Sequence, residues 1–403
     1  MICMALDLSK LTHNVDELGD TVAKRITDIN ERLPVARATL TSVTNEVDQL
    51  IKRADRVARH FRWAGAIPTD EKMDAAFPLP SRPQRFNVIA ADGSQIYPDR
   101  HGVATYYLIN VGSIVFRYGI PDAPSITTRP EVFFKDEDLY YEEEGSLMTT
   151  EMINAMRDVR ELGELARLSK VESAAAPSLA LLDNGLLLYI TLREQNPQFS
   201  NEVIGEYLAH LDSIKESDSM VAGVVERPRS ANAVRLLNLA KLSDEEITPE
   251  TLRVVGKQFK HITDGALFDF LKPGERSALF VLASPANLER YEPAHHKIYF
   301  FFLNAGRDGK DSILRVEVPE WIAQDKTKLD MVHAGIVTQC KMSDGFPYVL
   351  MRAHELAVVT AKEHHEVDNM VATSLLRHKI KPGISQKSLG KQWTGSSKRR
   401  YGR

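Results

Sequence analysis

Two apolar runs in this chain end in the same way. Val88-Ile89-Ala90-Ala91 leads into Asp92-Gly93, and Leu179-Ala180-Leu181-Leu182 leads into Asp183-Asn184-Gly185. A short apolar run bounded by turn residues reads as a buried strand. Each aspartate then stands at a strand end, on a sheet rim where side chains from several segments can meet. The glycine permits a tight turn and close approach of a ligand to the backbone, and Asn184 tolerates the left-handed conformation. Carboxylates that converge without basic partners repel one another, and a divalent cation resolves that repulsion. Oxygen donors favour magnesium or manganese over softer metals. Such a centre can hydrolyse phosphodiesters, one ion lowering the pKa of water and a second stabilising the leaving oxygen. The residues alone leave a plainer reading open, in which Asp-Gly simply turns the chain.

The elements that must position these aspartates follow from periodicity. Residues 86–91 form one strand, and 103–118, rich in β-branched and aromatic residues, read as a hairpin turning near Asn110–Gly112. A helix over 149–169 carries Ile153, Met156, Val159, Leu162, Leu165 and Leu168. Strand 179–182, helix 201–217 and strand 220–225 follow, then helix 231–242, strands 297–304 and 315–318, and helix 348–362. This mixture predicts an α/β fold with a mixed sheet flanked by helices.

Upstream, Leu8, Leu11, Val15, Leu18, Val22, Ile26, Ile29 and Leu33 form one helical stripe, with Pro34 expected to break or kink it. A second stripe runs from Leu40 to Val57. These helices either pack on their own domain or form an arm that docks a second copy or a partner. The chain thus divides into a helical N-terminal extension (1–67), a proline-rich linker (68–85), a main domain (86–376) and a basic tail (377–403).

Composition narrows the class. The 403 residues are 43% hydrophobic and 26% charged, as in ordinary folded proteins, and no apolar run is long enough to span a bilayer. The opening residues do not read as a secretory signal. Cys3 and Cys340 are the two cysteines, too few for a disulfide framework or a cysteine-rich zinc site, and a cytoplasmic setting fits. Net charge is −4, yet no acidic residue follows Asp368 while nine lysines and arginines do. Such a tail is either a phosphate-backbone contact or a solvated end. Arg227 and Arg229, around Pro228, and Lys387 and Lys391 are candidates to contact backbone phosphates. His295 and His296, adjacent and therefore pointing apart on a strand, read as loop or surface residues rather than ligands.

The ordered motifs resemble the NurA nucleases. VIAADGSQIYPDRHG is similar to the family's opening aspartate motif, RELGELARL to the helix with its glutamate, and SLALLDNGLLL to its second aspartate motif. VVERPRSANAVRLLNLA, IYFFFLNAG and LRVEVPEWIA follow in family order. GFPYVLMRAHELAVVT resembles the C-terminal block with its histidine, and Ser385 and Lys387 fit the pattern beyond it. The resemblance implies a ribonuclease H-like core in which Asp92, Glu164 and Asp183 bind metal, with Glu161 the alternative to Glu164. It implies that His354 contacts the scissile phosphate, binds metal or transfers a proton. It also implies a site tyrosine, for which Tyr291 and Tyr299 are candidates, with Phe302 at a position where relatives have tyrosine. Asn184 before Gly185 departs from the family's usual Asp-Gly-Ser and puts the local turn in question.

The expected activity is manganese- or magnesium-dependent DNA hydrolysis, 5′-to-3′ from ends and internally on single strands. The resemblance further implies a homodimer and partnership with a hexameric HerA-type ATPase. The rival readings are a noncatalytic DNA-binding or ATPase-docking adaptor, and a ribonuclease on the same fold.

Overall fold

The computed structural model describes residues 8–99, 102–141, 145–188, 196–307 and 312–380. Lys387 and Lys391 lie outside them. The strands, in chain order, are β1 (Gly65–Pro68), β2 (Ala76–Phe77), β3 (Phe86–Ile96), β4 (Tyr107–Tyr118), β5 (Ser125–Phe133), β6 (Ser178–Leu182), β7 (Met220–Glu226), β8 (Arg276–Ser277), β9 (Phe280–Ala283), β10 (Ile298–Asn304) and β11 (Ile313–Pro319). The longer helices are α1 (Thr12–Val43), α2 (Val47–Phe61), α3 (Thr150–Glu172), α4 (Pro197–Glu216), α5 (Asn232–Lys241), α6 (Lys326–Cys340), α7 (Tyr348–Ala357) and α8 (Ala361–Arg377). Among the described residues no helix is long and apolar enough to cross a membrane.

The chain forms two compact units, Met1–Arg82 with Gly223–Phe346, and Pro83–Ala222 with Pro347–Arg403. In the first, β1, β9, β10, β11 and the end of β7 pair antiparallel in that order. Its core is aromatic: Phe268 stacks on Phe302 at 4.7 Å and Phe280 on Phe300 at 5.6 Å. The N-terminal helices belong to this unit. Helix α1 runs through Pro34 without breaking, so the expected break is absent and α1 turns over to α2 only after Val43. A proline removes one helical hydrogen bond, and the bonds on either side sustain the helix here. Leu8, Leu11, Val15, Leu18, Val22 and Ile26 are all exposed, while Ala36 and Leu40 further along are buried.

The surface reading fails for one of the two histidines. His296 is fully buried, and its Nδ1 accepts from Trp321 Nε1 at 3.2 Å. His295 is exposed at a positive φ of 59°. The turn between them rotates one ring inward.

The second unit has a mixed sheet. β3, β4 and β5 are consecutive antiparallel strands, and β6 lies parallel to β3 on its other side. Three antiparallel strands followed by a helix and a strand parallel to the first make this unit ribonuclease H-like. Val88, Ile89, Ala90 and Leu179 to Leu181 are buried at the centre. Because side chains alternate across a strand, β3 offers Asn87 and Gly93 to α3 on one face and Ser94 to α7 on the other.

The hairpin expected within 103–118 does not form: β4 is one continuous strand, and its partners in hairpins are β3 and β5. Asn110 and Gly112, which resemble turn residues, serve tertiary packing instead. A Cβ on Gly112 would stand 2.6 Å from the backbone of Leu356 and Ala357, so glycine is what lets α7 lie against β4. Asn110 Nδ2 donates to Ala357 O at 2.8 Å. The helix expected over 348–362 ends at Ala357, and α8 begins afresh behind a Thr360–Glu363 capping box.

Candidate active site

Asp92 does not end its strand, as an apolar run followed by glycine suggests: β3 continues through Asp92 and Gly93 to Ile96, because β4 goes on pairing with it there, with Asp92 beside Gly112 in the register. Its Oδ1 accepts from Gly93 N at 2.9 Å, which orients the carboxylate at the strand rim. Its Oδ2 meets His354 Nδ1 at 2.7 Å. His354 reaches it because the end of α7 is anchored on β3 and β4. Ser94 Oγ donates to Ala357 O and accepts from Val359 N at 3.1 Å, and Asn110 holds the same carbonyl. The imidazole is 64% exposed while Asp92 is 19% exposed, so Nε2 is open to a ligand and the pair is not sealed.

On the α3 side, Glu161 points at Gly93. A Cβ there would sit 2.7 Å from Glu161 Oε1 and 2.6 Å from Arg157 Cγ, so glycine again permits the approach. Arg157 Nε contacts Glu161 Oε1 at 3.1 Å, its Nη2 donates to Asp158 Oδ1 at 2.6 Å, and its Nη1 donates to Gln95 Oε1 at 3.2 Å. Burial, then the Asp158 and Asp92 charges, push the Glu161 carboxyl well above its ordinary value, against Arg157 and the Gly93 N–H. Burial also raises Asp158, with Arg157 opposing and Asp92 adding to the rise. Asp92, Asp158 and Glu161 therefore share one electrostatic neighbourhood, with Arg157 as its resident cation.

Glu164 stands elsewhere on α3. It is buried, Ser113 Oγ donates to it at 2.9 Å, Arg167 Nε and Nη2 donate at 2.8 Å, and Arg129 Nε lies 3.1 Å away. Burial would raise its pKa, but these donors and charges hold it below the ordinary value. Its oxygens are committed to neighbours. Of the two glutamates left open by the sequence, the structure brings Glu161 to Asp92 and keeps Glu164 in an arginine pair.

Asp183 is exposed and follows β6 directly. The parallel register ends at Ala91↔Leu182, so Asp92 and Asp183 are the next residues on adjacent strands, which lie about 4.8 Å apart. Asp158, Arg157 and Gln95 were missed by sequence reasoning. Their signal is the helical spacing of Asn154, Asp158 and Glu161, a polar edge beside the apolar series of α3.

The other candidates lie in the first unit. Arg227 and Arg229 are exposed and, with Arg307, line a cleft of about 480 Å³ that also includes Thr263 and Asp344. Arg227 adopts a positive φ of 47°. The loop that carries them is fixed by buried Asp264, which accepts from Ser230 Oγ at 2.9 Å, Asn232 N at 2.7 Å and Val234 N at 3.0 Å. Tyr291 is buried, Tyr299 half-buried and Phe302 is core, all three within the first unit.

A ribonuclease H-like unit with acidic side chains and a histidine gathered along its first strand, where the pairing with β6 ends, defines a nuclease-type fold. The chain belongs to the NurA family: the NurA domain matches residues 86–359. Among solved structures it is similar to the NurA nuclease from Sulfolobus solfataricus, at 12% identity and a TM-score of 0.43, over 89% of this chain and 98% of that one. It is similar to a NurA structure with manganese, at 10% identity and a TM-score of 0.38, over 81% and 97%. The catalytic domain of human endonuclease V follows at 15% identity and a TM-score of 0.32, over 81% and 98%. No curated protein matches the chain in sequence.

Proposed function

We propose that this chain is a divalent-metal-dependent deoxyribonuclease, hydrolysing phosphodiesters at a centre built from Asp92, Glu161, Asp183 and His354. The observation that carries the proposal is the convergence of the His354–Asp92 pair and the buried Glu161 carboxylate on Gly93.

The donor set suits manganese or magnesium. It is composed of carboxylate oxygens with one imidazole, and the repulsion within it is what a cation relieves. Among the described residues no three such groups converge closely enough to hold an ion as they stand, and Arg157 lies among the nearest ones. Asp92, Glu161 and Asp183 would hold the ion, which supplies an activated water and charge stabilisation at the phosphate. Manganese is the ion named with one of the NurA structures.

The protein's own groups do the rest. With Asp92 ionised, His354 Nδ1–H donates to Asp92 Oδ2 and leaves Nε2 facing outward. Doubly protonated, the ring offers Nε2–H to a phosphate oxygen or to the leaving oxygen. Asp158 and Gln95 hold Arg157 at the rim. Arg227 and Arg229 bind backbone phosphates through the cleft in the other unit, and Lys387 and Lys391 add to them from the tail. Cleavage 5′-to-3′ from ends and within single strands, a homodimer, and delivery of DNA by a HerA-type ATPase complete the reading.

The test is cleavage of end-labelled DNA and RNA oligonucleotides with and without manganese by the wild-type chain and by Asp92→Ala, Asp183→Ala and Glu161→Gln. We expect metal-dependent DNA cleavage that each substitution abolishes with circular dichroism unchanged. Near wild-type rates in any of the three remove that residue from the centre, and RNA cut in preference to DNA changes the substrate.

A further inference from the structure

Arg157 is an unusual neighbour for a metal centre. It does not sit at the periphery, as a phosphate contact would, but between two of the carboxylates. Its guanidinium hydrogen-bonds to Asp158 through Nε and Nη2 and to Gln95 through Nη1, and pairs with Glu161 across 3.1 Å; its side chain is only 23% exposed. Its stem crosses Gly93 so closely that any side chain there would collide with Cγ.

The charges around it explain the position. Asp92, Asp158 and Glu161 bring three carboxyl groups to one rim, where each opposes the ionisation of the others, and Glu161 is buried away from water. In the ion-free protein a cation is needed there, and Arg157 is the one provided. A divalent ion drawn to Glu161 meets that guanidinium within a few ångströms, where like charges repel strongly because screening by water is weak.

We propose that Arg157 is a displaceable counter-cation: it occupies Glu161 when no metal is bound and must release it for the ion to enter. This rests on the metal-dependent reading of the same centre. Nε and Nη2 both donate to Asp158 Oδ1 and Nη1 donates to Gln95 Oε1, whereas Glu161 Oε1 meets Nε only as an ion pair at 3.1 Å. The side chain can therefore leave Glu161 by a small rotation while Gln95 and Asp158 retain it at the rim. Metal affinity is then the outcome of a competition within the protein, and the centre is protected from collapse of its carboxylates when empty.

The experiment is calorimetric titration of the full chain with manganese chloride alone, without nucleic acid. Arg157→Gln should bind manganese about tenfold more tightly than wild type, one decade being what a partly buried ion pair of about 1.4 kcal/mol contributes. Arg157→Lys, which keeps the charge, should stay near wild type. Equal or weaker binding by Arg157→Gln overturns the proposal and makes Arg157 a support for the ligands. A measurement on the wild-type chain covers the case in which the variant does not fold. The Nε–H resonance of Arg157 should shift during titration with magnesium as its ion pair with Glu161 parts, and a resonance that stays fixed while magnesium binds overturns the proposal. Asp92→Asn separates the two levels. If wild type and Asp92→Asn bind manganese alike, the metal centre itself is misassigned. If binding needs Asp92 but ignores Arg157, only the competition fails.

Discussion

Substituting Gly112 by alanine tests whether the packing of one helix creates the site. In an ordinary strand, alanine for glycine is neutral or slightly favourable, since glycine loses more freedom on folding. Here the sign reverses. The new Cβ would stand 2.6 Å from Ala357 N and Leu356 C, and 2.8 Å from Leu356 Cβ. Carbon contacts relax at about 3.5–4.0 Å, so α7 must retreat by about 1 Å, and two of the obstructing atoms are backbone. That shift strains the Asn110 and Ser94 bonds to Ala357 O and carries the 2.7 Å His354–Asp92 contact out of hydrogen-bond range. Overpacking of this kind costs about 1–3 kcal/mol, and a displacement of about 1 Å in a catalytic group lowers the rate about 10²-fold. Manganese-supported cleavage of a labelled single-stranded oligonucleotide, measured beside thermal unfolding, reads both effects. On a His354→Ala background Gly112→Ala should add little to the rate loss, because both act through the same contact. A Gly112→Ala protein that melts and cuts like wild type refutes this account of how His354 is placed.

The two glutamates of α3 should separate cleanly. Glu164→Gln is expected to lower stability by about 1–2 kcal/mol, through weakened bonds to half-exposed Arg129 and Arg167, with cleavage little changed. Glu161→Gln should abolish cleavage without lowering the melting temperature, and the opposite pattern would return the ligand role to Glu164. Replacing Val15, Leu18 and Val22 together by serine should leave the melting temperature unchanged, since all three are exposed, while weakening assembly with a second copy or an ATPase ring in sedimentation. A large drop in melting temperature, or unaltered assembly, ends the docking idea. His333 supplies a pH dependence. Burial, above all, lowers its imidazole from 6.5 to about 4, and its Nε2 contacts Gly274 O at 2.7 Å. A depressed folded-state pKa gives stability that is present above 6.5 and lost as pH falls towards 4, about 3 kcal/mol in all. His333→Gln should flatten that part of the stability profile in urea titrations between pH 7 and pH 4, and an equal slope in both proteins would show that His333 does not titrate there.

The sequence displays the second unit's elements because they obey simple periods. The apolar run before Asp183 and the Ile153 to Leu168 series give β6 and α3 to within a few residues, while the run before Asp92 marks where β3 starts but not its continuation through Asp92-Gly93 to Ile96. It misleads where a residue type has two uses. Asn110 and Gly112 have the chemistry of a turn, and only the presence of α7, far along the chain, makes them packing residues. The choice between Glu161 and Glu164 was equally hidden. Three residues apart on a helix they share a side, and what separates them is Arg129 on β5, which no local pattern assigns to either. The division into units is invisible for a similar reason, since β7 continues through residue 223 with no break in its apolar run.

The pairing of His354 with Asp92 spans 262 positions of chain, and this has a bearing on biosynthesis. At roughly 5–20 residues per second of translation, Asp92 waits on the order of tens of seconds, by that same rate, before its histidine has been made. Within that interval the first unit's Gly223–Phe346 segment is made, between the two parts of the second. A ribosome-bound chain therefore carries the acidic residues without the imidazole, and a chain ended anywhere before residue 354 lacks the His354–Asp92 pair. On the proposed reading of the site, such an order of synthesis leaves nascent and prematurely ended chains without a complete centre.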